Sequence, residues 1–148
     1  MVKVKKAIVQ ELESIWALDG RVPGNRSRED FIANAVRAEQ CLLARIGNTL
    51  AGFVVLEQSF YGQGFIALLI VHPDRRRRGV ATALIHHIES LCPTEKLFTS
   101  TNESNFIAQQ TFEALGFVRS GYIENLDEGD PEIIYYKNLQ ATAQIIQE

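Results

Sequence analysis

The stretch VHPDRRRRGVATALIHHIES, residues 71–90, sets four consecutive arginines between an apolar run and a helical pattern. Upstream, FIALLIV (residues 65–71) is uniformly apolar, as expected of a strand covered on both faces. Downstream, residues 79–91 place Ala83, Leu84, Ile88 and Leu91 on one side of a helix. Arg75, Arg76, Arg77 and Arg78 therefore fall where a strand turns into a helix. The first turn of a helix leaves backbone N–H groups unpaired and carries the positive end of the helix dipole, so it receives anions readily. Gly79 lets the chain approach a ligand closely, and Ala81 adds almost no bulk. Successive amides in such a turn form an anion nest, and arginine side chains around it supply charge-assisted bonds to phosphate. The local chemistry is that of a pyrophosphate cradle. It is neither a Walker loop nor a GxGxxG fingerprint.

Working outward from this junction, residues 2–6 (VKVKK) alternate as a short strand does. Ile8, Leu12, Ile15, Trp16 and Leu18 form a helical stripe, and residues 19–27 (DGRVPGNRS) read as a loop. Ser27 with Asp30 resembles a capping box that opens a second helix, running to about Ala38. Residues 41–46 and 50–57 are apolar runs joined by GNT, a hairpin signal, and residues 61–64 (YGQG) form a second turn. Residues 97–101 read as a strand. Residues 104–115 read as a helix with Ser104 at its N-cap and Gly116 at its stop. Two strands, 117–124 and 133–139, flank an acidic loop, and the tail after Leu139 reads as a frayed helix. The order β α α β β β α β α β β predicts an α+β fold: a mixed, mostly antiparallel central sheet flanked by helices.

Bulk properties fit one domain over residues 1–148. A chain of this length buries about 70% of its unfolded surface and needs no staple. With 18 acidic against 15 basic residues the net charge is −3 and the pI about 5.7, which argues against a dedicated nucleic-acid binder. Cys41 and Cys92 stand in no metal-binding spacing and read as reduced residues in or near the core. No metal site or Ser/His/Asp triad is apparent. The N-terminus lacks a signal peptide's apolar core, and no apolar run approaches a membrane span, so no membrane association and a cytoplasmic chain are expected.

Two motifs carry a resemblance. Val71-x-Pro73-x-x-Arg76-x-x-Gly79-x-Ala81 is similar to motif A of the GNAT superfamily of N-acetyltransferases, whose core is [QR]-x-x-G-x-[GA]. Asn105-x-x-Ala108-x-x-x-Phe112-x-x-x-Gly116-Phe117 resembles that family's N-x-x-A-x-x-x-Y-x-x-x-G-F. The spacing between them fits one strand and one helix, and the element order resembles the family's acyl-CoA N-acyltransferase fold over nearly the whole chain.

The resemblance implies direct transfer of an acetyl group from acetyl-CoA, as co-substrate, to a primary amine, with no metal. It implies that the backbone of Arg76, Arg77, Arg78, Gly79, Val80, Ala81 and Thr82 holds the pyrophosphate. Leu69, Ile70 and Val71 would meet the pantetheine arm, with the thioester in a splay between that strand and the one at residues 97–101. Asn105 would reach the cofactor and Phe112 would line its pocket. Backbone N–H near Ile70 or Val71 would polarise the thioester carbonyl. Two features depart from the family. The frequent tyrosine acid is Phe112 here, and FIALLIV carries no acidic base.

Replacements are sought in YIENLDEGDPEIIYY, where Glu124, Asp127, Glu128, Asp130 and Glu132 cluster. An acidic rim attracts a cationic amine. Glu124, ending a strand, is the candidate base, Tyr135 or Tyr61 the candidate acid, and Asp127, Glu128 and Asp130 candidate acceptor-binding residues. A solvated acidic turn is the plain alternative. His86 and His87 read as surface residues, His72 as positional, and Trp16 and Phe31 as core or pocket lining. The expected acceptor is a cationic small molecule or a protein amine. Many relatives pair as homodimers, and nothing in the sequence decides this. A relative that binds CoA or a partner protein without catalysis is the alternative that Phe112 and the bare strand suggest. An RNA-binding module built on the arginines is opposed by the acidic balance and the absence of interleaved aromatics.

Overall fold

The computed structural model describes residues 1–21 and 28–140. Its elements are β1 (Val2–Lys6), α1 (Leu12–Arg21), α2 (Glu29–Arg37), β2 (Cys41–Ile46), β3 (Thr49–Phe60), β4 (Gln63–Val71), α3 (Val80–Leu91), β5 (Lys96–Asn102), α4 (Phe106–Ala114), β6 (Val118–Ile123) and β7 (Glu132–Asn138). Short 3-10 turns at Val9–Glu11 and Pro73–Arg75 precede α1 and α3. The order of helices and strands is the one the hydrophobic periodicity predicts. The seven strands form one sheet in the order β1-β2-β3-β4-β5-β7-β6. β1–β2, β2–β3, β5–β7 and β6–β7 pair antiparallel and β4–β5 pairs parallel, so the sheet is mixed and mostly antiparallel.

The chain divides into two compact units, and β3 and β4 contribute to both. The first comprises Met1–Leu56 and Leu68–Leu91, the second Glu57–Ala67 and the chain from Cys92 onward. In the first unit, α3 packs on β1 and β2, and α2 packs on α1 and β2. Cys41, Leu42, Leu43 and Ala44 are all buried in succession, so both faces of β2 are covered. Val80, Leu84, Ile85 and Ile88 form the buried stripe of α3. Burying each large aliphatic side chain contributes about 1.5–3 kcal/mol, more than the tenths of a kcal/mol that β-branching costs a helix. In the second unit, Leu97, Phe112, Phe117, Ile133 and Tyr135 form the core.

Several boundaries differ from expectation. The apolar stripe Leu12–Ile15 continues through Asp19, and α1 runs on to Arg21 instead of ending in a loop at residue 19. Asp19 is 2% exposed and takes a two-pronged ion pair from Arg28, Nη2 to Oδ1 at 2.5 Å and Nε to Oδ2 at 3.3 Å, which makes its burial tolerable. The Ser27 cap falls outside the described residues, as does the tail from residue 141. Asn105, not Ser104, caps α4: its Oδ1 accepts from the Ala108 N–H at 3.1 Å. β4 is not sealed on both faces. Ile66 and Ile70 are buried, while Phe65, Ala67, Leu68, Leu69 and Val71 are half-buried. Leu91, expected on the buried side of α3, is 58% exposed.

Candidate active site

In the first unit, β4 ends at Val71 and the chain turns through His72 and Pro73–Arg75 into α3. The His72 N–H donates to the Ala51 carbonyl at 2.7 Å, and its Nδ1 accepts from the Asp74 N–H at 3.0 Å, so His72 is a structural cap of the turn. Arg75 folds back on its own turn, Nη1 to the Asp74 carbonyl at 3.3 Å, and Arg21 on α1 reaches the Asp74 carboxylate at 3.8 Å. Arg76, Arg77 and Arg78 are exposed and pair with no described acid.

The backbone between Arg76 and Val80 twists through two left-handed residues, Arg77 at φ 64° and Gly79 at φ 79°. A non-glycine residue in that region is uncommon and concentrates where the backbone is shaped for a purpose. Gly79 caps α3, its carbonyl accepting from Ala83 at 3.0 Å. A side chain added at Gly79 would meet nothing within 4 Å, so the space before it is open. The N–H groups of Arg76, Arg77, Arg78, Gly79, Val80, Ala81 and Thr82 have no protein acceptor among the described residues. They mark the positive end of a twelve-residue helix, and the Val80 side chain is 2% exposed and points inward. The fan of donors and the open space fit a pyrophosphate. Of the three β4 residues expected beside the pantetheine, Ile70 is buried and Leu69 and Val71 are half-buried.

The second unit holds the remaining candidates and gives several of them other work. Tyr135 is 0% exposed, and its hydroxyl donates to Glu113 Oε2 at 2.8 Å. Burial, and then the Glu113 carboxylate, push the phenol up to about 12. A hydroxyl so held releases its proton less readily than a free phenol. Phe112 is 4% exposed and packs between Phe117 and Tyr135, with ring centroids at 5.8 and 5.7 Å, so it is part of the core beneath α4. Asn105 commits its side-chain oxygen to the α4 cap.

The acidic loop is tethered. Asp127 Oδ2 accepts from Asn102 Nδ2 at 2.8 Å, and Asp130 accepts from the Ser104 hydroxyl at 2.6 Å and the Ser104 N–H at 3.0 Å. Glu132 accepts from the Ser100 hydroxyl at 2.7 Å. Asp127 and Asp130 thus fasten the loop to the β5–α4 turn. Glu124 and Glu128 are exposed, with no described partner. Glu124 lies one residue past β6. Tyr61 is 89% exposed, with its ring edge-on to Phe60 at 5.1 Å. His86 is exposed, and His87 Nδ1 lies 3.0 Å from the Ala83 carbonyl. Among the described residues, no group of three or more His, Cys, Asp or Glu could hold a metal ion, and no helix is long and apolar enough to cross a membrane.

Sequence reasoning missed Asp19–Arg28, Tyr135–Glu113 and the Asn102 and Ser104 tethers. Only the first left a trace: Asp19 sits on the apolar stripe of α1, where a charged residue needs a buried partner. The others join positions 22 to 26 residues apart and leave no local pattern.

Residues 7–117 match the model of the acetyltransferase (GNAT) family, and the chain belongs to that family. A crystal structure of a GNAT-family acetyltransferase from Bacillus cereus ATCC 10987 superposes with a TM-score of 0.90 at 44% identity, over 93% of this chain and 97% of that one. The peptidyl-lysine N-acetyltransferase YjaB of Salmonella typhimurium is 28% identical over 88% of this chain and 93% of its own length. yncA of Salmonella typhimurium, solved with its cofactor acetyl-CoA, shares the fold at 13% identity and a TM-score of 0.76, over 93% of this chain and 94% of that one. Other curated relatives are much longer, and the matched stretch spans 9% to 32% of their length.

Proposed function

We propose that the chain is an N-acetyltransferase that takes an acetyl group from acetyl-CoA and passes it to a primary amine. The observation that carries this reading is the fan of unpaired N–H groups from Arg76 to Thr82, at the mouth of α3 and beside exposed arginines. These donors hold the pyrophosphate of the nucleotide, and Arg76, Arg77 and Arg78 add charge around it. Leu69, Ile70 and Val71 offer the adjoining strand to the pantetheine arm. Acetyl-CoA, when bound, supplies an acetyl group already activated as a thioester.

A lysine side chain of a protein is the acceptor this reading favours. The Salmonella relative described as acting on peptidyl-lysine matches along most of the chain. Glu124 and Glu128 are the exposed carboxylates of the acidic loop with no described partner, and they would attract such a cation. Glu124 remains the candidate base. With Phe112 in the core and Tyr135 bonded to Glu113, Tyr61 or solvent would supply the proton to the departing thiolate. The two unpaired cysteines suit a reducing, cytoplasmic location.

The reading is tested by calorimetric titration of acetyl-CoA into the wild-type protein and into Gly79→Glu. Wild type binds at micromolar concentration. The variant loses at least a hundredfold, because its carboxylate enters the open space before the amides. Equal affinity in the two proteins would remove the cradle. Release of free thiol with lysine peptides then separates an enzyme from a relative that binds CoA without turning over, the second reading that the buried Phe112 favours.

A further inference from the structure

Gly52 lies inside β3, away from every turn, with none of the left-handed geometry that calls for glycine. Its need is for space. A Cβ built there would stand 2.7 Å from the Ile70 carbonyl oxygen, 2.9 Å from Val80 Cγ1 and 3.4 Å from Leu84 Cδ1. Carbon contacts are most favourable at about 3.5–4.0 Å, so the first two are severe overlaps, and one of them is with backbone. Glycine in a strand interior commonly marks such a close approach of another backbone.

The two clashing partners lie at opposite ends of one segment. Ile70 precedes the end of β4 by one residue, and Val80 opens α3. Between them runs the entire turn that carries Arg76, Arg77, Arg78 and Gly79. The geometry points to Gly52 as a positioning residue: its missing side chain seats the last turn of β4 and the first turn of α3 together, and so sets the aim of the α3 amides. This rests on the acetyl-CoA reading of those amides. Gly52 touches no reacting atom and acts through Ile70 and Val80.

The test compares Gly52→Ala with Gly64→Ala, titrating each folded protein with CoA. Gly64 is a second crowded strand glycine, where a Cβ would run into the Cys92 sulfur and approach Thr94 Oγ1 to 3.2 Å, far from the α3 entrance in sequence. Both variants should melt lower than wild type, since overpacking costs stability in either place. Gly52→Ala should weaken CoA binding at least tenfold, and Gly64→Ala less than twofold. Amide resonances of Val80, Ala81 and Thr82 should shift in Gly52→Ala without ligand. Unchanged affinity in Gly52→Ala, or an equal loss in Gly64→Ala, overturns the assignment. Should Gly52→Ala not fold, Gly52→Ala combined with Val80→Ala removes one of the two overlaps. It should bind CoA more weakly than Val80→Ala alone, and equality overturns the proposal. A wild-type protein that binds no CoA refutes the acetyl-CoA reading itself. The amide shifts then decide the role of Gly52 alone.

Discussion

Tyr135 and Glu113 are joined by a 2.8 Å hydrogen bond that runs from the core of the second unit to an exposed carboxylate on α4. The bond anchors a helix to a strand from a ring with no solvent exposure, which gives Tyr135 a structural role. Tyr135→Phe should therefore lower stability by about 1 kcal/mol, the usual net worth of one hydrogen bond. Turnover per folded molecule should stay within twofold. General acid catalysis contributes at least about a hundredfold. A loss of that size, measured by thiol release at saturating acetyl-CoA, would restore Tyr135 to the chemistry.

The Asp19–Arg28 pair predicts an asymmetry. Asp19 is 2% exposed at its side chain and Arg28 36%. Arg28→Met leaves a carboxylate buried without its partner and should cost about 3–5 kcal/mol. Asp19→Asn leaves a guanidinium that water can still reach, and should cost roughly half as much. Urea denaturation of the two variants measures the difference, and equal losses would mean that the pair is solvated in both states.

Glu11 sets part of the acid limb of stability. Its Oε1 accepts from the Ile8 N–H at 3.0 Å, and Oε2 meets Lys5 at 3.2 Å and Arg45 at 3.3 Å. Burial pushes the carboxyl up, but these three donors together outweigh it and hold Glu11 below its ordinary value. A carboxyl depressed in the folded state contributes stability above its unfolded pKa, about 4.3, and the contribution fades as pH falls through the folded value. Glu11→Gln should cost about 1–2 kcal/mol at pH 7, and the gap to wild type should narrow as pH falls below about 4.3. Thermal melts from pH 7 to pH 3 test this, and parallel curves would show that Glu11 does not titrate with folding.

The thiols should separate cleanly. Cys41 is 0% exposed, and burial, followed by the nearby Glu11 charge, pushes its thiol up to about 12. It should resist a disulfide reagent in the native protein and react only on unfolding. Cys92 is half-buried, with Sγ 3.4 Å from Thr94 Oγ1. One thiol per native chain should titrate, and two in denaturant.

Legibility in the sequence followed the range of the interaction. Strands and helices come from local periodicity, so the element order was readable from the alternation in VKVKK and the stripe of α3. The entrance to α3 was readable for the same reason: Pro73, the arginines and Gly79 lie within seven residues and fold as one turn. Helix ends decided by tertiary bonds were not. Asp19 looked like the start of a loop because Arg28, which holds it in α1, lies nine residues away across a proline and two glycines. Ser104 looked like a cap because its bond to Asp130 spans 26 residues. The acidic loop was half readable: Glu124 and Glu128 stand exposed as their turn suggests, while the bonds of Asp127, Asp130 and Glu132 depend on what folds beside them. Gly52 left no mark, because an absent side chain shows its purpose only when its neighbours are in place.

At the mouth of α3 the unpaired donors are main-chain amides. No codon change deletes an amide except one to proline, which also removes the donor. Exchanges among the four arginines therefore weaken an anion's hold by degrees. Abolition in one step requires a proline between 76 and 82 or a side chain at Gly79. Side-chain exchange along this turn thus tunes the hold on an anion while the donors themselves persist through it.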